Sequence, residues 1–194
     1  MNVSRRAAVT CAIGAVGAWS LTYRDAGAWP LTPPRSLEEI ARRLEASYPA
    51  IAHTPPPALA ALIAANAPLL LVDVREGEEY EVGHLVGAER VDPGAARERV
   101  IAQLAGRALG RDVCFYCSVG QRSSRMAAEV RAGMLDHGAR RVHNLRAGVF
   151  AWHNQARPLA DRFGATPFVH PYNEAWRRLL ERPQWTAFAP RERG

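Results

Sequence analysis

Cys117 stands at the end of the apolar run Val113-Cys114-Phe115-Tyr116 and is followed by Ser118-Val119-Gly120-Gln121-Arg122-Ser123, where a helical pattern opens. A thiol is a poor nucleophile until it ionises, and an unperturbed cysteine is mostly protonated at neutral pH. Three features of this stretch would favour the thiolate. The start of a helix offers unpaired N–H groups and the positive end of a dipole. Gly120 lets the backbone turn so that successive amides converge into an anion-binding nest. Arg122 adds a permanent cation, and Ser123 a hydroxyl that can donate a hydrogen bond. The same cradle would stabilise a charged group attached to the sulfur, so the spacing predicts covalent chemistry at a cysteine nucleophile.

The elements that must position this loop are read from hydrophobic pattern. Leu69-Leu70-Leu71-Val72, VCFYC over 113–117 and RVHNL over 141–145 are short runs rich in apolar residues, the first two nearly continuous. Such runs suit parallel strands buried on both faces. Helical spacing appears after Ser36 (with Glu39 in a capping-box pattern), over 58–65, over 95–104 and from Ser123 to a stop at Gly138, with a short helix in GVFAW. Between the first two strands lie a loop region with Glu76, Gly77, Glu78 and Tyr80 and a plausible short strand in GAERV. Strands alternating with helices predict an α/β domain with a mainly parallel central sheet flanked by helices. Ligands of such sheets sit beyond the carboxyl ends of the strands, where Cys117 falls.

With 194 residues, 48% hydrophobic and 23% charged, the chain has the composition of a globular protein. Its net charge of +6 comes entirely from arginine, scattered among 19 acids rather than gathered in a patch, and this argues against nucleic-acid binding. The six histidines show no metal-ligand spacing and nothing resembles a nucleotide phosphate loop, so no metal and no cofactor is expected. Arg5 and Arg6, the apolar stretch 7–21 and the Ala26-Gly27-Ala28 pattern read as an export signal over 1–28, possibly of twin-arginine type, with a periplasmic address. The alternative is an uncleaved inner-membrane anchor facing the periplasm. A linker and N-terminal helix over 29–49, a catalytic domain over 50–160 and a C-terminal extension over 161–194 complete the organisation. The extension is read as a tail packed over the domain, with one helix in NEAWRRLLE sharing Tyr172, Trp176, Leu179 and Leu180 on a face. Cys114 and Cys117 have CxxC spacing, but positions three apart in a strand face opposite ways, so Cys114 is expected to be a packing residue.

CSVGQRS resembles the active-site loop of rhodanese-domain sulfurtransferases, whose pattern is C-x-x-G-x-[RK]-[ST]. Further landmarks follow in the family's order. Asp73-Val74-Arg75 matches its D-V-R, and Gly83-His84-Leu85-Val86-Gly87-Ala88 its G-H-I-P-G-A, with valine for proline. Asn144-Leu145-Arg146-Ala147-Gly148-Val149-Phe150-Ala151-Trp152 is similar to N-L-x-G-G-x-x-x-W, with Ala147 for one glycine. The resemblance covers about residues 50–160 and implies a rhodanese-like fold and a persulfide relay. Cys117 would take sulfane sulfur from a small-molecule donor such as thiosulfate and pass it to a thiol acceptor, either small or a protein. Ser118, Val119, Gly120, Gln121, Arg122 and Ser123 would bind the persulfide, with Arg122 stabilising charge and Ser123 bonded to the sulfur. Asp73, Arg75 and His84 would be structural supports. Two rivals are a non-catalytic binding module on the same scaffold and a phosphatase or arsenate reductase. The latter enzymes use a C-x5-R loop, one residue wider than the C-x4-R here.

Overall fold

The computed structural model describes residues 36–192; the expected export segment and the start of the linker lie outside the described residues. The chain runs α1 (Leu37–Ser47), β1 (Ala52–Thr54), α2 (Pro56–Ala64), β2 (Leu69–Asp73), α3 (Gly77–Val82), β3 (His84–Leu85), β4 (Glu89–Arg90), α4 (Arg97–Ala108) and β5 (Asp112–Tyr116). Then follow α5 (Gln121–Asp136), β6 (Arg141–Leu145), α6 (Gly148–Asn154), β7 (Leu159–Asp161), β8 (Gly164–Thr166) and α7 (Glu174–Arg177).

Five strands form one sheet in the order β1-β6-β5-β2-β4, every pairing parallel, and helices flank it. β5 lies at its centre with Leu71, Cys114 and His143 in register across three strands. Because side chains alternate along a strand, Leu70, Val72, Val113, Phe115 and Val142 share the opposite face. There they meet Val100, Leu104 and Ala108 of α4 and Met126, Val130 and Met134 of α5 in one continuous core. Burying a side chain of this size stabilises by about 1.5–3 kcal/mol, so this layer fixes where β5 ends and α5 begins.

Three features differ from the sequence reading. The stretch expected as a loop around Glu78 is the helix α3, closed by a capping box between Glu76 and Glu79. β1 and the antiparallel sheet β3-β7-β8 are additional. In the extension the expected helix is cut to Glu174–Arg177, capped by the Asn173 side chain, with a 3-10 turn at Pro183–Trp185 beyond it; between them the chain turns so that Leu179 and Leu180 are buried. The extension packs on the domain through Asn154, whose amide donates to the Leu179 carbonyl and accepts from the Glu181 N–H.

Candidate active site

Cys117 is the first residue beyond β5 and is 1% exposed. Its sulfur accepts the Gly120 N–H at 3.2 Å. Gly120 can aim that amide because its φ is +98°, in the left-handed region where a side chain is strained. A Cβ there would also stand 3.2 Å from Asn144 Nδ2 and 3.4 Å from Leu44 of α1.

The loop's carbonyls are turned away from the sulfur. Val149 N–H donates to the Cys117 carbonyl at 2.9 Å and Phe150 N–H to the Ser118 carbonyl at 3.0 Å, so the first turn of α6 grips the loop from outside. Gly148 permits the approach: a Cβ on it would lie 2.3 Å from the Cys117 oxygen. The preceding Ala147 adopts φ +57° where the family pattern has glycine.

Arg122, on the first turn of α5, is committed to a carboxylate that the sequence reading missed. Its Nη1 and Nη2 donate to the two oxygens of Glu79 at 2.7 and 2.8 Å, and Nη2 also reaches Ser118 Oγ at 3.1 Å. Ser118 in turn donates to Glu79 Oε1 at 2.7 Å. Burial raises the pKa of the Glu79 carboxyl, but the Arg122 hydrogen bonds and charge, with Arg75 and Ser118 assisting, outweigh it and hold the group at about 2. The nearby Cys117 sulfur, like the Glu79 carboxylate, favours the charged form of this guanidinium. The E-x-x-E spacing of Glu76 and Glu79 was the signal available in the sequence; the partner lies 43 residues on.

The remaining residues sort by contact. The Ser123 hydroxyl is fully buried and makes no hydrogen bond, so the bond to sulfur implied by the resemblance is not formed in this structure. Ser124 instead donates to the Gly120 carbonyl at 2.6 Å, tying the loop to its helix. Val119 is buried, whereas Gln121 is partly exposed at the helix start. Asp73 and Arg75 form a fully buried ion pair, with Arg75 also donating to the Gly83 carbonyl at 2.8 Å. His84 donates from Nδ1 to the Tyr80 carbonyl at 2.9 Å and stacks on that ring. Cys114 is a free, buried thiol whose pKa burial pushes up, unsuited to nucleophilic work.

The family model of the rhodanese-like domain matches residues 55–155, which carry all of this geometry except Leu44. The chain belongs to the rhodanese-like domain family. It is 31% identical over 108 residues to the tRNA uridine(34) hydroxylase of Photorhabdus laumondii, a match covering 54% of this chain and 30% of that protein. It is also 30% identical over 82 residues to the uncharacterized protein YqhL of Bacillus subtilis, covering 42% of this chain and 59% of the relative. Among solved structures, thiosulfate sulfurtransferase from Pseudomonas aeruginosa aligns with a TM-score of 0.48 and 23% identity, over 64% of this chain and 23% of that one. The chain thus spans less than a third of the hydroxylase it resembles.

Proposed function

We propose that this rhodanese-like domain is a sulfurtransferase that carries sulfane sulfur as a persulfide on Cys117. The observation that carries the reading is the Gly120 N–H directed at the Cys117 sulfur in a loop whose first two carbonyls are bound elsewhere. Such a cradle suits a sulfur anion and the second sulfur it acquires. With thiosulfate as donor, the Cys117 thiolate attacks the outer sulfur. The new S–S bond forms as the old one breaks, and sulfite leaves with the electron pair. An acceptor thiolate then attacks the outer sulfur of the persulfide and releases the Cys117 thiolate, so no external oxidant or reductant is required. The C-x4-R spacing supports sulfur over phosphate or arsenate, because the ring is one residue tighter. On the N-terminal pattern the proposal also places the protein in the periplasm.

Intact mass after incubation with thiosulfate and with cysteine persulfide tests the chemistry. The expected result is a gain of one sulfur atom that Cys117→Ser abolishes. No adduct with either donor would overturn the sulfurtransferase reading and favour a binding module on the same scaffold.

A further inference from the structure

The matched family region ends at residue 155, yet the chain beyond it returns to the Cys117 loop. After β8 the segment runs past α3 closely enough that a Cβ on Gly83 would meet the Phe168 carbonyl at 2.1 Å. It is pinned there by Val169, fully buried, whose N–H and carbonyl pair with Trp185 and Ala187. His170, 8% exposed, follows, and then the chain makes a tight turn at Tyr172.

That turn is strained. Asn173 N–H donates to the Pro171 carbonyl at 2.8 Å, a two-residue closure with Tyr172 at its centre and φ +68°. A bulky residue in the left-handed region is a conformational outlier, and γ-turns of positive φ are rare. The surroundings over-determine it: the Tyr172 N–H donates to His170 Nδ1 at 3.0 Å, and the Asn173 side chain caps α7. Strain retained in this way marks sites where a side chain must be aimed. The Tyr172 ring, 50% exposed, is not sunk into a core; it lies over the Arg122 guanidinium, 5.4 Å from ring centre to Cζ. Trp176 meets its edge at 6.4 Å.

We infer that Tyr172 is a positioning residue of the Cys117 site, supplied by the C-terminal extension to hold Arg122 through its ring face. Glu79 and Ser118 hold the guanidinium through its N–H groups, and the Tyr172 ring face lies over its central carbon. Arg122 passes the restraint to the loop through Ser118, the residue after Cys117, whose hydroxyl oxygen its Nη2 meets at 3.1 Å. The inference rests on the sulfur-transfer reading for its kinetic consequence, but the geometry of the Arg122 cradle stands without it.

The test compares the full-length wild type with Tyr172→Phe and Tyr172→Gly. Glycine suits φ +68°, so Y172G loses the ring without adding backbone strain, and its thermal midpoint should not fall. In each protein the Cys117 peptide is followed by mass as it reacts with iodoacetate (anionic) and iodoacetamide (neutral). Loss of a cation–π contact at a half-exposed site corresponds to roughly a two- to fivefold effect. In Y172G the iodoacetate-to-iodoacetamide rate ratio should drop by that factor, and KM for thiosulfate rise by about as much with kcat little changed. Y172F should retain the wild-type ratio. An unchanged ratio in Y172G, or a Y172F as impaired as Y172G, overturns the inference. If the wild type takes up no sulfur at all, the functional proposal fails, while the alkylation ratios still decide the part played by Tyr172.

Discussion

Replacing Glu79 by glutamine removes one charge from a buried pair while keeping the side chain's size, and glutamine stands in for the protonated acid. Glu79 is 3% exposed and Arg122 18%, so solvent screens the pair weakly. The carboxyl titrates at about 2 instead of 4.5, which at about 1.4 kcal/mol per pH unit corresponds to about 3 kcal/mol of stability. Breaking a buried pair by deleting one partner costs about 3–5 kcal/mol by general experience, a consistent range. The sign follows from the depressed pKa. The carboxylate's contribution is complete well above pH 4.5 and is lost as pH falls through about 2. Urea unfolding followed by tryptophan fluorescence should therefore show E79Q less stable than wild type by about 3 kcal/mol at neutral pH. The gap should close to about 1 kcal/mol near pH 2.5. A gap independent of pH, or one below about 1 kcal/mol at neutral pH, would refute the claim that the ion pair holds the loop.

Two substitutions test the grip of α6. Ala147→Gly should raise stability by about 0.5–1 kcal/mol, read as a thermal midpoint about 1–4 °C higher, because alanine sits at φ +57°. Gly148→Ala should cost about 2–4 kcal/mol in urea unfolding and, on the proposed chemistry, reduce sulfur loading of Cys117 more than tenfold, since the new methyl would collide with the backbone of Cys117 itself.

The parallel sheet was legible because β2, β5 and β6 are short runs dominated by apolar residues, and burial of four of the five residues in each strand is what such runs dictate. Cys117 was legible because strand end, glycine and arginine follow in order. What escaped were elements whose stability comes from elsewhere in the chain. β1 has three residues, too few for a period, and exists because β6 offers a free edge for Ala52, His53 and Thr54. β7 and β8 likewise depend on each other and on β3. α3 begins with glycine and carries four consecutive polar or aromatic residues, so no apolar stripe announces it. Glu79 was hidden for the same reason: its effect arises only when α3 is folded against the start of α5. The long C-terminal helix expected from NEAWRRLLE was overridden by burial of Leu179 and Leu180, which a continued helix would not have allowed with the Asn154 contacts.

The two amides of α6 that seize the Cys117 and Ser118 carbonyls come from residues about thirty positions downstream. A nascent chain that has emerged only as far as α5 already displays the cysteine but lacks what orients its backbone. The loop's final geometry therefore arrives late in synthesis, after β6 has docked beside β5 and α6 has latched on. A partly made or partly melted molecule would carry the cysteine without the fixed loop around it, and the geometry of the site would be complete only with the domain.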